Sequence, residues 1–546
     1  MGFDVSGVAR PRPTPVAVSV RAPASAAPGR RRATQWLGWF AAAGIASSLG
    51  VTVATSLGRA TWTGPALPMP RTGPPFELST WHLTLASATV ALWLSALAGG
   101  LGLAAALIAV RRGARPPIHV LLVAAAVIVA VLTVLPPAGS TDSLDYMAFG
   151  RMAVLGHSPY VMVPWNLGHM HDAVGRSIPW EWGRDPSTYG PAATVEQYVA
   201  AVLGGTSAAR IVFWLKLGNA IAFGIVALVA DRLLRSDPAA RLRAHLLWTI
   251  NPLLIWQLIA AAHIDVLAAA AGLLGLLVAT GWPAMPAPGT ERIGRVLAGG
   301  ALIGIASDIK ITFALFGLGL AWALRRSPAA CVVAAVGMLG VVLPSYAWFG
   351  PPAIKPLIHR GDRTTADNFY QLLFGRHSFL MANVGVIAIV IGVGVAMVVL
   401  SRLPIRAAAQ PALFAALGLS TAWLFTFQYQ LPSYEAMIIC LLILTPACWL
   451  DWLVVARLTA ATIALMPGGS RPPPTHLLAR LSLDILTLAA PIVLLSAAVV
   501  LVVLCLAGRT CAAGPDGEGT MFGPGGLGRL TRAAVRQGSS WLAASR

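Results

Sequence analysis

The chain is short of charge. Charged residues make up 11% of its 546 positions, and only 20 of them are acidic. Soluble domains carry about 25% charge, so a water-soluble globular fold is excluded. Cysteine is sparse as well. The five residues Cys331, Cys440, Cys448, Cys505 and Cys511 lie mostly in apolar runs and show no metal-ligand spacing, which speaks against a disulfide framework and against a zinc site. Lysine is rare beside abundant arginine. There is no Walker loop, no GxGxxG fingerprint and no soluble catalytic domain, so the usual sequence marks of nucleotide handling are missing.

What the chain has instead is apolar length. Hydrophobic residues reach 57%, with a mean hydropathy of +0.73. Each crossing of a bilayer takes about 20 residues. The expected fold class is therefore all-α, a polytopic membrane protein of about 12–13 transmembrane helices. The formal net charge of +19 would suggest nucleic acid in a soluble protein. Here the arginines cluster in short loops and tails, as the positive-inside rule requires, so the partner is the lipid bilayer and no nucleic acid is implied.

Residues 1–35 read as a disordered basic cytoplasmic tail, with Arg30, Arg31 and Arg32 just before the first span. Residues 36–508 form the membrane domain, and 509–546 a Gly-rich disordered tail. Arg111, Arg112 and Arg115 mark an interior loop after the second span. The third span, near 118–135, then delivers the loop 137–207 to the exterior. The segment 195–205 is too short to span and lies along the interface. Residues 296–324 read as one long span with Lys310 in mid-membrane, or as two short helices that meet outside near Lys310. The second reading is preferred, because a buried charge costs about 2.5–3.5 kcal/mol or more. Residues 451–482, with Arg457, Arg471 and Arg480, read as interior.

The stretch 139–191 differs in kind from the spans around it. It holds Asp142, Asp145, Arg151, His157, His169, His171, Asp172, Glu181, Arg184 and Asp185, together with Tyr146, Tyr160, Trp165, Trp180, Trp182 and Tyr189. Carboxylates move protons, aromatic faces stack on sugar CH surfaces, and Arg holds phosphate. The plainer reading is a solvated loop whose rings form an interfacial belt. Two more exterior turns bring His263 with Asp265 and Asp308 with Lys310, and Gln428–Glu435 adds a fourth. In a packed bundle these turns converge on one cavity. A carboxylate there acts as general base, and Lys310 or Arg151 holds a phosphate leaving group. The plainer reading of Lys310 is a local pair with Asp308, and that of His263 a capping histidine. Lys216, near Asn219, either lines the cavity or snorkels. Asp142 and Asp145, three apart on one helical face, cannot be told apart by spacing. A carboxylate at the helix start, as at Asp142, also serves as a cap.

The run Asp142-Ser-Leu-Asp-Tyr146-Met-Ala-Phe-Gly150-Arg151, then Gly156-His-Ser-Pro159-Tyr160 and Tyr189-Gly190-Pro191, resembles the first exterior loop of actinobacterial polyprenol-phosphate-mannose-dependent α-1,6-mannosyltransferases. So do Trp248-Thr-Ile-Asn251-Pro252 with His263-Ile-Asp265, and the neighbourhoods of Lys310 and Pro432-Ser-Tyr434. The resemblance spans residues 35–450. It implies a C-type glycosyltransferase fold in the plasma membrane with its active site on the exterior face. The implied reaction moves mannose from a polyprenyl-phosphate-mannose donor to a mannan or lipoglycan acceptor, with inversion. No cofactor or metal is implied. Asp142, which opens the D-x-x-x-Y pattern, is the implied base. Asp145, Tyr146, Arg151, Tyr160, Tyr189, His263, Asp265, Lys310 and Tyr434 are the implied substrate-binding residues. Ile264 departs from the polar residue the pattern has between His263 and Asp265. The competing readings are a C-type enzyme for arabinofuranose or another lipid-linked sugar, and a lipid or solute transporter.

Overall fold

The computed structural model describes residues 28–57, 67–70, 72–78, 84–178, 183–281, 289–359, 363–375, 378–402, 410–466 and 475–507. Both expected tails fall largely outside these residues, as do Trp180, Glu181 and Trp182. Every regular element among the described residues is helical. With 57% of the residues apolar and no water in a bilayer core to satisfy backbone groups, helices are the form that closes all hydrogen bonds within the segment.

The chain runs α1 (Pro28–Ser56), α2 (Leu85–Arg111), α3 (Ile118–Val134), α4 (Asp142–Val154), α5 (Pro191–Gly204), α6 (Ala208–Leu233), α7 (Pro238–Leu247) and α8 (Pro252–Ile255). A π-helical turn, Trp256–Ala260, extends α8. Then follow α9 (Asp265–Thr280), α10 (Gly289–Ile309), α11 (Ala314–Leu324), α12 (Pro328–Phe349), α13 (Val384–Arg402), α14 (Pro411–Thr426), α15 (Glu435–Leu442), α16 (Leu450–Leu465) and α17 (Ala490–Leu506). Among the described residues six helices are long and apolar enough to cross a membrane, seven if the pair Pro252–Ala260 and Asp265–Thr280, bent by 108°, counts as one span. Shorter apolar helices cover Ile118–Val134, Ile311–Leu324, Pro411–Thr426 and Pro432–Leu442. The apolar segments read from the sequence are thus helical, but several reach only part of the way across a bilayer.

Neighbouring helices pack α1 on α2, α4 on α5, α5 on α6, α9 on α10, α10 on α12, α11 on α14 and α2 on α16. Val332, Val336 and Leu343 of α12, and Val386, Ile389 and Val390 of α13, remain exposed on the outside of this bundle. In water such a surface would be unfavourable; against acyl chains it is what a multi-pass membrane protein presents. On α5, Val195, Tyr198, Val199, Val202 and Leu203 form an exposed apolar stripe at helical spacing. The helix is too short to cross, and this stripe suits one lying in the interface.

Two local expectations change. The apolar run 244–260, which by length and hydropathy reads as a fifth span, is not one helix: α7 ends at Leu247, and the Asn251 side chain accepts from the Leu253 and Leu254 amides to start α8 afresh. Of residues 451–482, read as interior, those up to Leu465 belong to the helix α16 (Leu450–Leu465), which packs antiparallel to α2, while Arg471 lies outside the described residues. Arg111, at the end of α2, lies 3.5 Å from Asp451, while Trp93 donates its indole N–H to the Met466 carbonyl at 2.9 Å. The arginines misled there. Arg457 is buried inside the bundle and gives its Nε hydrogen to Glu435 at 2.9 Å, so its charge is met by a partner rather than by cytoplasm.

The break at Lys310 is present. α10 ends at Ile309, Lys310 is extended (φ −148°, ψ 116°), and a 3-10 turn leads into α11.

Candidate active site

Three segments far apart in sequence meet around Lys310. The first is the start of α4. Pro136 and Pro137 cannot continue α3, for want of N–H groups, and Asp142 becomes the first residue of the next helix. Its carboxylate does not cap that helix. Oδ2 lies 3.2 Å from His263 Nδ1 and 3.5 Å from the Tyr146 hydroxyl, which donates to it. The second segment is the turn between the π-helical turn and α9, where Ala262 adopts a left-handed φ of 61°. His263 and Asp265, two apart on this turn, each take a different partner. Lys310, from the third segment, donates to Asp265 Oδ1 at 2.6 Å and stands 3.5 Å above the Tyr434 ring. The local Asp308–Lys310 pair is not formed. Asp308 instead faces Ser345 and the Ala192 amide.

The loop 187–191 closes one side. The Tyr189 and Tyr146 hydroxyls are 3.0 Å apart, with their rings edge to face at 5.1 Å. Gly190 lets this loop touch the end of α10: a Cβ there would fall 1.8 Å from the Asp308 carbonyl oxygen, so no other residue fits. On the far side Tyr434 stacks on Trp423, with Tyr429 beyond it. Tyr429 belongs to the site and was not singled out in the sequence, since only the fold brings it beside Tyr189 and Tyr434.

Electrostatics keep the groups in defined states. Burial works against charge on Asp142, but His263, the Ser140 hydroxyl and Lys310 outweigh it and hold the carboxyl below its usual value. Burial, then the neighbouring phenol and the carboxylates of Asp142 and Asp265, push the Tyr146 hydroxyl well above its usual range. The arrangement is thus an ionised carboxylate, a cation and neutral phenols around one space. Such a set can accept a proton, bind an anion and hydrogen-bond a polyol.

Of the residues named from the sequence, Asp142, Tyr146, Tyr189, His263, Asp265, Lys310 and Tyr434 come together. Asp145 is buried further along α4. Arg151 is engaged elsewhere, with Nε and Nη2 donating to Asp172 Oδ2 at 2.9 and 2.7 Å. The Tyr160 hydroxyl pairs with Thr194 Oγ1 at 2.9 Å, and its ring packs on Phe349; it braces the loop.

Comparison with known proteins bears on this set. Residues 41–326 match the family model described as "Alpha-(1->6)-mannopyranosyltransferase, N-terminal domain". That range holds Asp142, Tyr146, Tyr189, His263, Asp265 and Lys310. The chain is 26% identical over 245 residues to a probable alpha-(1->6)-mannopyranosyltransferase of Mycolicibacterium smegmatis, covering 40% of this chain and 43% of the relative. It is 29% identical over 233 residues to alpha-(1->6)-mannopyranosyltransferase B of Corynebacterium glutamicum, covering 39% and 36%. The chain therefore spans less than half the length of the curated relatives it matches. The crystal structure of ArnT from Cupriavidus metallidurans bound to undecaprenyl phosphate overlays 72% of this chain and 78% of its own, at 18% identity and a TM-score of 0.38, a likeness too slight to argue from. The family match covers more than half of this chain, and on it the chain belongs to the alpha-(1->6)-mannopyranosyltransferase family.

Proposed function

We propose that the protein transfers mannose from a polyprenyl-phosphate-mannose donor to a hydroxyl of a mannan or lipoglycan acceptor, with inversion, at a C-type glycosyltransferase site on the exterior face. The observation that carries this reading is the convergence of Asp142–His263 and Asp265–Lys310, from separate segments, within a chain of this family. Asp142 is the base. Its lowered carboxyl pKa keeps it ionised, and it takes the proton of the acceptor hydroxyl as that oxygen attacks the anomeric carbon. The bond from that carbon to the phosphate oxygen breaks, and the lipid phosphate leaves with the electron pair. Lys310 stabilises that departing charge. In the resting site Asp265 holds the ammonium in place, and an arriving phosphate shares it. His263 orients Asp142, and the Tyr146–Tyr189 pair offers hydroxyls to the sugar. Arg151, tied to Asp172, is not used.

The exterior assignment is supported by charge. Arg111 and Arg243 meet Asp451 at the other end of α2, and basic residues favour the cytoplasmic side. A lipid donor suits a site outside the cell, where nucleotide sugars are absent.

The test is purified protein in liposomes with radiolabelled polyprenyl-phosphate mannose or polyprenyl-phosphate arabinose and a short mannan acceptor. Labelled mannoside that α-mannosidase removes is expected. Transfer of arabinose alone, or label crossing the membrane without a new glycosidic bond, would refute the reading.

A further inference from the structure

Helix α6 carries two buried polar side chains one turn apart, Lys216 and Asn219, with 1% and 2% of their surface exposed. Neither reaches the reacting groups. Lys216 Nζ donates to the Leu135 carbonyl at 2.8 Å and to the Pro136 carbonyl at 3.4 Å. Leu135 is the residue that ends α3 and Pro136 the one after it, so the amine ties down the chain where it leaves that helix. Asn219 Nδ2 donates to the Leu258 carbonyl and to the His263 carbonyl, each at 3.0 Å. One bond grips the π-helical turn and the other the residue beyond the bend.

The two gripped strands of chain also touch each other. Ala138 donates its N–H to the Ala260 carbonyl at 2.9 Å. Gly139 has φ +99°, and a Cβ there would lie 2.0 Å from Trp256 Nε1. So α6, the end of α3 and the π-helical turn form a closed triangle of contacts. Asp142 leaves one corner three residues after Gly139, and His263 leaves another. The π-helical turn ends α8 just before the bend, and it is the part Asn219 spans.

We propose that Lys216 and Asn219 are positioning residues that set the separation of Asp142 and His263. The proposal rests on the reading of Asp142 as the base. A small displacement of a base is expensive, since about 1 Å can cost roughly 10²-fold in rate. A brace from one rigid helix to both partners prevents it.

Hydrogen exchange on the full-length protein in nanodiscs tests the brace without reference to activity. Lys216→Met should speed exchange at least about tenfold over 138–146 and spare α9. Asn219→Ala should do so over 257–265, and Lys216→Arg should restore protection. In the transfer assay the first two variants should lose roughly ten- to a hundredfold in kcat with donor KM within about twofold. Asn219→Ala should also shift the acid limb of the rate profile upward, because His263 no longer sits beside Asp142. Exchange that rises throughout the bundle, or local loosening with unchanged kinetics and pH profile, would overturn the proposal. If the unmodified protein transfers no mannose, the functional reading fails, while the exchange patterns still decide whether the brace exists.

Discussion

Replacing Asp142 with asparagine removes a charge and almost no volume. The amide still fits between His263 and Tyr146, so the site should keep its shape. What it cannot do is accept the acceptor proton. A positioned base contributes about 10²–10⁴-fold, and each tenfold is about 1.36 kcal/mol of barrier, so the expected loss is about 2.7–5.4 kcal/mol. Lys310 remains bound to Asp265 in the variant, and donor affinity should therefore persist. Steady-state transfer by purified protein should show kcat down at least about 100-fold, with donor KM little changed. Asp145→Asn, three residues further along the same helix, is the comparison and should cost less. A dead Asp145→Asn enzyme beside a normal Asp142→Asn enzyme would refute the assignment.

Lys310→Ala should abolish most transfer while the protein still inserts in the membrane, and Lys310→Arg should retain part of it, since a point charge is what the leaving phosphate needs; unchanged kinetics in the alanine variant would make Lys310 a structural partner of Asp265. The rate profile should keep its acid limb below the usual carboxylate range near 4, because the folded-state pKa of Asp142 is depressed and activity is lost only as pH falls through it. His263→Gln removes the largest group opposing burial, so that limb should move to higher pH; an unmoved limb would exclude Asp142 as the titrating group. Arg457→Met leaves Glu435 buried without its cation, which should cost about 3–5 kcal/mol and lower the thermal midpoint, and the double variant with Glu435→Gln should recover part of the loss.

The order of apolar runs determined by itself that the chain is helical and membrane-embedded, because hydropathy and length act locally. The break at Lys310 was legible for the same reason: a charge in an apolar run costs too much to stay in mid-bilayer. The D-x-x-x-Y run, His263 and Asp265 stood out as ionisable groups beside spans. Tertiary structure alone decided who meets whom. Lys310 takes Asp265 rather than the nearer Asp308, because the extended backbone at Lys310 separates it from the helical Asp308, which turns toward α5. Arg151 is drawn off by Asp172, and Arg457 reads as a loop arginine until α15 supplies Glu435. Lys216 and Asn219 look like strays in an apolar helix until the ends of α3 and the π-helical turn are laid against them. Sequence carries the type of each group and its local period, whereas a hydrogen bond or ion pair falls off within a few ångströms, a distance that only the packed bundle specifies.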